Sequence, residues 1–200
     1  MMLKVLDLFS GIGGFSLGLE RAGMKTVAFC EIDPFCRAVL KKHWPDVPIY
    51  EDVRTLNGRE ITADVICGGF PCQGISAAGK REGFSDARSW LWSEYARLVG
   101  EIRPYWVIIE NSADLRTRGY DRIADDMESM GYSCRPFVVG ACHVGAKHER
   151  RRVWIVANSG SVRVRPWSEI SKEHEKRTSS ACGSRWPAEP EMVPLVHGVP

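Results

Sequence analysis

The sequence lacks long apolar runs and a strong excess of either charge. No stretch approaches the roughly 18 consecutive apolar residues that cross a bilayer, and the apolar stretch at the N-terminus is too short for a signal peptide. The formal charge of +2 over 200 residues is too small to indicate a polyanion-binding protein by itself. We therefore expect a soluble, cytoplasmic protein in which any nucleic-acid site depends on local clustering of charge.

The cysteine pattern lacks the features of disulfide and zinc chemistry. The seven cysteines are odd in number and include no C-x-x-C pair, which argues against a disulfide framework and the usual zinc sites. We expect free thiols and no bound metal. The hydrophobic fraction of 44% supports one globular domain. We place this domain at residues 1–157 and a loop-rich appendage, in which apolar periodicity fails, at residues 158–200.

Glycine is concentrated directly after the first predicted strand. Residues 3–8 form an apolar run that predicts a buried strand, and Gly11 and Gly13 follow it at once. The apolar spacing after them predicts a helix that ends at Gly23. Such a loop permits close approach of the backbone to a ligand, although packing alone also accounts for glycines between a strand and a helix.

An acidic residue follows the second predicted strand. Residues 26–30 are apolar, Glu31 comes next, and Asp33 has the pattern of a helix cap. An acid about twenty residues after a glycine loop is where nucleotide-type cofactors have their ribose hydroxyls bound; a solvated acid in a capping turn is the alternative. A short third strand over residues 48–53 ends near Asp52, whose carboxylate can accept a hydrogen bond from an exocyclic amine.

A cysteine lies in the loop that follows the next apolar run. Residues 63–66 predict a buried strand that breaks into a loop containing Pro71 and Cys72. Ligands of open parallel sheets bind beyond the carboxyl ends of the strands, so this position favours chemistry. A small buried hydrophobic role for Cys72 is equally reasonable from this stretch alone. The residues at the other strand ends are needed to choose between these two roles of Cys72.

Charged residues also adjoin two later strands. Glu110 comes after the five apolar residues 105–109, so we expect it to be poorly hydrated, with a raised pKa; capping of a neighbouring helix is the alternative. Before the last predicted strand, alternation sends Arg150 and Arg152 to one side and Arg151 to the other. This pattern predicts a paired guanidinium site for a phosphate or a base, with a generic basic turn as the alternative.

The glycine loop, Glu31, Cys72 and Glu110 each follow an apolar strand, and in a parallel sheet all four converge on one edge. The first two suggest a cofactor that contains a nucleoside, and the last two suggest a nucleophile and an acid that act on one substrate. The residues therefore predict an α/β enzyme with covalent thiol catalysis. They leave the substrate undefined.

Five motifs of the chain closely resemble those of the C5-cytosine methyltransferases that use S-adenosylmethionine, over about residues 3–157. The motifs occur in the family's order and approximate spacing, and they are DLFSGIGGFSLGLE, EID, GGFPCQGIS, ENS and HERRRVWIVA. The resemblance implies a Rossmann-like methyltransferase fold with a mostly parallel sheet and helices on both faces. It also implies S-adenosylmethionine as cofactor, double-stranded DNA as partner and a role in restriction-modification or phage self-protection.

The resemblance also implies roles for individual residues. Phe9, Gly11 and Gly13 would shape the methionine side of the cofactor pocket, and Pro71 would also contact the cofactor. Glu31 would hold the ribose hydroxyls, Ile32 would lie against the adenine, and Asp52 would lie at its amino group. Cys72 would add to C6 of a flipped-out cytosine, Glu110 would hydrogen-bond N3, Arg152 would bind the base, and Arg150 would steady the thiol region. The segment over residues 74–88 matches the family's closing loop.

The chain departs from the family pattern in a few places. Lys147 and His148 stand where many members have Pro-Gln, and Ser112 stands where many have valine. The 200 residues do not include the Gly-Asn motif that packs beside the first motif in relatives, so we expect a second chain or a further segment to supply it. Three alternatives stay open: a non-catalytic remnant, one subunit of a split enzyme, and a tRNA cytosine methyltransferase.

Overall fold

The computed structural model describes residues 2–71 and 90–160. Strands and helices alternate over most of this part of the chain, with short 3-10 helices at Gly58–Glu60 and Ala141–Val144. Cys72, the segment 74–88 and the proposed appendage from residue 161 onward lie outside the described residues. The elements are β1 (Lys4–Leu8), α1 (Gly14–Arg21), β2 (Lys25–Cys30), α2 (Pro34–His43), β3 (Ile49–Tyr50), β4 (Val65–Gly68), α3 (Trp90–Ile102), β5 (Trp106–Ser112), α4 (Leu115–Arg118), α5 (Tyr120–Ser129), β6 (Ser133–Val139) and β7 (Arg152–Asn158).

The described strands form one sheet in the order β3-β2-β1-β4-β5-β7-β6. The strands from β3 to β5 pair in parallel, whereas β7 runs antiparallel to both β5 and β6. The chain passes from β1 to β2 on one side and to β4 and β5 on the other, so the strand order reverses between β1 and β4. Ligands of open α/β sheets bind in the crevice at such a reversal, beyond the carboxyl ends of the strands.

Hydrophobic cores cover both faces of the sheet. Alternate residues of β1 point to opposite faces, so that Leu6 packs in the larger core and Val5 in the smaller one. The larger core includes Trp92 and Tyr95 of α3, and the smaller one includes Phe15 of α1. The prediction of a mostly parallel sheet with helices on both faces is confirmed.

Local signals placed some element boundaries correctly and missed others. The carboxylate of Asp33 accepts hydrogen bonds from the backbone N–H groups of Phe35 and Cys36, at 2.7 and 3.0 Å, and caps α2 as predicted. The third strand is shorter than predicted, because β3 pairs only over Ile49–Tyr50. Glu110 lies inside β5 and not after it, because pairing with β7 continues to Ser112 opposite Arg152.

Within residues 2–71 and 90–160, none of the helices is both long and apolar enough to cross a bilayer.

Candidate functional site

A cavity of about 430 Å³ opens at the carboxyl ends of β1 to β4. Its size falls in the range of roughly 300–1,000 Å³ that holds small organic ligands and cofactors. The apolar part of the wall comes from residues of several elements, and the polar part comes mainly from the segments after β2 and β3. The lining residues are Phe9, Cys30, Glu31, Ile32, Glu51, Asp52, Val53, Arg54, Gly69, Pro71 and Leu91.

The glycine loop and Glu31 meet at one end of this cavity. Gly11, with φ of 53°, donates its backbone N–H to Glu31 Oε2 at 2.7 Å, and the N–H of Asp33 donates to Oε1 at 2.8 Å. The side chain is only 9% exposed. Each carboxylate oxygen can still accept another hydrogen bond, so Glu31 presents a fixed hydrogen-bond acceptor at the cavity.

Phe9 also has a left-handed backbone, with φ of 53°. Its ring stacks against Tyr95 at a centroid distance of 6.5 Å and an interplanar angle of 12°, while the residue contributes to the cavity wall. A non-glycine residue with positive φ is uncommon and costs backbone energy. Here the strain accompanies a sharp turn of the chain from β1 into the glycine loop.

Gly13 has a packing role in the structure. It is not one of the cavity residues, and a Cβ atom there would lie 2.6 Å from the ring of Trp44, with φ of 88°. Trp44 in turn donates its indole N–H to Glu20 at 3.0 Å and packs edge-on against Phe29. The missing side chain at Gly13 therefore permits close packing of the glycine loop on α2.

Ile32 and Asp52 provide an apolar and a polar wall of the cavity. Ile32 is 65% exposed and forms an open apolar part of the cavity wall. Asp52 accepts hydrogen bonds from Arg54 through Nε at 2.8 Å and the backbone N–H at 2.9 Å, and it also contacts the Arg54 Nη2 atom. These hydrogen bonds from Arg54 lower the pKa of Asp52, so the carboxylate is a charged acceptor.

Glu110 lies next to the cavity on the β4 side. A Cβ atom placed on the cavity residue Gly69 would lie 2.7 Å from Glu110 Oε2, so glycine is what allows the carboxylate this close. Burial raises the pKa of Glu110, and the charges of Arg152 and Arg150 act in the opposite direction. The predicted rise in pKa is therefore present, for the predicted reason.

Arg150 and Arg152 form the predicted pair and Arg151 lies apart, but strand alternation is not the cause, because β7 begins only at Arg152. Arg152 Nε lies 3.0 Å from Glu110 Oε1, whereas Arg151 Nε lies 3.6 Å from the exposed carboxylate of Glu149. Arg150, with φ of 34°, is close enough for its charge to lower the pKa of Glu110. Arg150 and Arg152 thus act on the same carboxylate, and Arg151 does not.

Asn111 holds the segment that leads to Cys72. Its side-chain N–H donates to the carbonyl of Phe70 at 3.0 Å, its Oδ1 accepts from the Ser112 N–H at 2.8 Å, and the side chain is buried. Phe70 also packs against Trp92 of α3. The sequence placed Asn111 beside Glu110 but gave it no role, because an anchoring amide has no local pattern.

Asp7 is a buried acid that the sequence reasoning missed. It lies in β1, fully buried, and accepts hydrogen bonds from the Ser16 hydroxyl at 2.7 Å and from the Ser16 N–H at 3.3 Å. Burial raises its pKa to about 7, and the hydrogen bonds from Ser16 oppose that rise. Asp7 thus links β1 to the first turn of α1 by hydrogen bonds. An acidic residue within an otherwise apolar strand is the sequence feature that indicates such a buried acid.

Comparison with known proteins agrees with this geometry. The family model for C-5 cytosine-specific DNA methylases matches residues 3–188. The type II methyltransferase M2.BsuMI of Bacillus subtilis is 36% identical over 165 residues, covering 78% of this chain and 42% of that protein. M.Eco47II of Escherichia coli is 39% identical over 161 residues, covering 76% of this chain and 39% of that protein. The chain thus spans about two fifths of the length of these curated relatives.

Solved structures share the fold of the chain. A DNA modification methyltransferase encoded within an E. coli prophage has 31% identity and a TM-score of 0.69, covering 82% of this chain and 48% of its own. DNMT2 of Spodoptera frugiperda, at 21% identity and a TM-score of 0.67, covers 80% of this chain and 51% of its own and has the same fold. On the family match and these relatives, the chain belongs to the C-5 cytosine-specific DNA methylase family.

Proposed function

We propose that this chain transfers a methyl group from S-adenosylmethionine to C5 of cytosine in double-stranded DNA. The observation that carries the proposal is the position of Gly69, which lines the nucleoside-sized cavity and lies so close to Glu110 that an added Cβ atom would be 2.7 Å from Oε2. The cavity and an acid paired with arginine thus share one edge of the sheet. Membership of the family and the type II methyltransferases among its relatives support the same assignment.

The cavity residues suit an adenosyl cofactor. Glu31 would accept hydrogen bonds from the two ribose hydroxyls, because both its oxygens are fixed by backbone N–H groups and keep an acceptor position. The exposed side chain of Ile32 would cover one face of the adenine, and Asp52 would accept from its amino group. Gly11 has no atom within 4 Å of a Cβ built on it, so a ligand can approach the backbone there.

The reaction needs an activated cytosine ring as well as a methyl donor. S-adenosylmethionine, when bound, supplies an electrophilic methyl group on a sulfonium. The thiolate of Cys72 would form a bond to C6, and the C5=C6 electron pair would move toward C5, which makes C5 nucleophilic. C5 would take the methyl group as its bond to the sulfonium sulfur breaks, with S-adenosylhomocysteine as the leaving group. A base would then remove the C5 proton, the C5=C6 double bond would re-form and the Cys72 thiolate would leave.

Glu110 and its arginines would serve the same ring. Burial raises the pKa of Glu110, so its carboxyl group keeps a proton to higher pH than an ordinary glutamate. That proton would be shared with N3 as electron density moves into the ring. Arg152 would keep Glu110 oriented while contacting the base. Because these atoms are stacked within a duplex, the cytosine must be flipped out, which costs a few kcal/mol.

Transfer of a labelled methyl group tests the proposal. The 200-residue chain is incubated with methyl-labelled S-adenosylmethionine and either duplex DNA or tRNA, and the modified nucleoside is identified. We expect 5-methylcytosine in the duplex, no label in tRNA, and no product from Cys72→Ser. Label in tRNA alone would assign the rival RNA substrate. Binding of S-adenosylhomocysteine without any transfer would favour a non-catalytic chain and contradict the proposal.

A further inference from the structure

We infer that Arg97 of α3 is a positioning residue that sets the selectivity of the cofactor site for an adenine amino group. The inference rests on the proposed function, because it takes Asp52 as the acceptor for that amino group. Arg97 does not line the cavity. It acts through the segment of residues 51–60, here named the β3–β4 loop, which carries Asp52.

The β3–β4 loop has little support from the sheet. The strand before it, β3, pairs over only two residues at the sheet edge. Four consecutive loop residues, from Glu51 to Arg54, nevertheless line the cavity. A wall built on so short an edge strand needs other contacts to keep one position, because ladder hydrogen bonds are few there.

Arg97 supplies two of those contacts. Its Nη2 donates to the carbonyl of Val53 at 2.8 Å, and its Nη1 donates to the carbonyl of Leu56 at 3.2 Å. The guanidinium is itself held by two carboxylates of the same helix, Glu94 and Glu101, each at 2.8 Å. One planar group therefore bridges helix and loop with most of its donors engaged.

The contacts of Arg97 reach Asp52 through one turn of backbone. The carbonyl of Asp52 accepts the N–H groups of Thr55 at 3.2 Å and Leu56 at 3.1 Å, and Leu56 is the residue whose own carbonyl Arg97 holds. Val53, the other residue held by Arg97, is the chain neighbour of Asp52. Loss of Arg97 would release the turn that follows Asp52 at two points, Val53 and Leu56, without removing a hydrogen bond of the Asp52 carboxylate itself.

Glu101 adds a third attachment to the same loop. Its Oε2 accepts the N–H of Gly58 at 2.8 Å, and a Cβ atom at Gly58 would lie 2.7 Å from that oxygen. The side chains of Arg97 and Glu101 thus hydrogen-bond to the β3–β4 loop at Val53, Leu56 and Gly58. Carbonyl and amide groups of the loop are matched by donor and acceptor groups of one helix.

Two product analogues separate positioning from general stability. S-adenosylhomocysteine carries a 6-amino group, and S-inosylhomocysteine carries a carbonyl oxygen there. A fixed carboxylate at Asp52 accepts from the amino group and repels the carbonyl oxygen. From the usual strength of a hydrogen bond to a charged group we expect the native chain to prefer the adenosyl compound by about 100-fold.

The experiment measures both dissociation constants by calorimetry for four forms of the 200-residue chain: native, Arg97→Gln, Arg97→Lys and Arg103→Gln. We expect Arg97→Gln to reduce the preference to about tenfold or less, mainly by weaker binding of the adenosyl compound. Lysine keeps the charge but lacks the planar guanidinium that bridges two carbonyls, so the preference of Arg97→Lys should lie between those of the native chain and Arg97→Gln. If Arg97→Gln does not fold, Arg97→Lys takes its place in the test.

Arg103→Gln is the matched control. Arg103 follows α3 directly and donates to the carbonyl of Met130 at 2.9 Å, away from the cavity, so its loss removes a similar bond and should keep the native preference. Equal weakening of both compounds by Arg97→Gln, or an unchanged preference, would overturn the inference. Failure of the native chain to bind either compound would instead contradict the proposed function.

Discussion

Glu31 and Glu110, the two acids of the functional edge, are held in place by different kinds of contact. On the half that we propose binds the cofactor, here named the cofactor half, backbone N–H groups of Gly11 and Asp33 fix the Glu31 carboxylate at the ends of β1 and β2. On the half that we propose carries out catalysis, here named the catalytic half, side chains of β5 and β7 hold one another or the backbone that follows β4. Arg152 contacts Glu110 there, and Asn111 holds the Phe70 carbonyl.

The backbone of the fold therefore determines the position of Glu31, whereas single side chains determine the contacts of the catalytic half. Main-chain donors follow from the strand and loop geometry, so the position of Glu31 depends on the loop as a whole. Each catalytic contact depends on one side chain and can be removed by one substitution. The Glu110–Arg152 pair is about one-quarter exposed on each side, so we expect it to affect the pKa of Glu110 more than the stability of the fold.

The largest expected effect is on the catalytic half. Glu110→Gln keeps the shape beside Gly69 but cannot release a proton to N3, so methyl transfer to duplex DNA should slow by about a thousandfold, or about 4 kcal/mol. Single-turnover transfer measures the rate. The affinity of Glu110→Gln for S-adenosylhomocysteine should equal that of the native chain. An affinity that falls by the same factor as the rate would mean that Glu110 also supports cofactor binding, which contradicts the division into two halves.

The next effect concerns the buried acid below the cofactor half. Asp7 has a pKa of about 7 in the folded chain against 3.8 for an ordinary aspartate, so between these values the folded state keeps a proton that the unfolded state releases. The contribution of Asp7 to stability is therefore largest at low pH and falls as pH rises toward 7. At 1.36 kcal/mol per pKa unit, this loss is about 3 kcal/mol between pH 4.5 and 7.

Asp7→Asn should remove that part of the pH dependence, because the amide does not titrate. Urea unfolding of the native chain and of Asp7→Asn at several pH values measures the difference. The variant should gain stability relative to the native chain as pH rises. Parallel pH curves for the two proteins would show that Asp7 is not the titrating group.

Two glycine substitutions probe the packing of the cofactor half. Gly13→Ala places a methyl group against Trp44 at a left-handed φ and should lower the free energy of unfolding by about 2 kcal/mol. Gly18→Ala, in α1 with no atom within 4 Å of the added carbon, should raise it by about 0.5–1 kcal/mol. Thermal unfolding of both variants gives the contrast. Equal effects at the two positions would contradict the packing role of Gly13.

The smallest effect concerns the pKa of Glu110. Arg152→Gln removes a positive charge that lowers this pKa, so the pKa should rise further and the limb of the pH-rate profile set by Glu110 should move to higher pH. Arg151→Gln is the control, since Arg151 contacts Glu149 instead. NMR titration measures the pKa of the Glu110 carboxyl group in both variants. An equal shift in the two variants would exclude a specific Arg152 contact.

Sequence patterns predicted the parts of the site that depend on local structure. Glu31 after β2 and the cap at Asp33 follow from the apolar run of the strand and from helix capping. The pairing of Arg150 with Arg152 depends instead on the left-handed backbone of Arg150 before β7, which strand alternation does not predict. The position of Glu110 within β5 was not predicted, because β5 is extended by pairing with β7 more than forty residues later.

Residues that act through tertiary contacts left no local signal. Asn111 reaches across to Phe70, and Arg97 reaches back to the β3–β4 loop over forty positions. In the sequence, Arg97 is an ordinary charged residue of an amphipathic helix. Only the fold brings these donors to the carbonyl groups they hold.

The central claim is that the thiol of Cys72 and the Glu110 carboxyl act on one cytosine beside a bound methyl donor. The most direct test incubates the chain with S-adenosylmethionine and a duplex containing 5-fluorocytosine, whose fluorine cannot leave as a proton does. The account predicts a denaturation-resistant protein–DNA adduct that maps to Cys72 and is absent with Cys72→Ser. A folded chain that binds S-adenosylhomocysteine and the duplex but forms no adduct would contradict it.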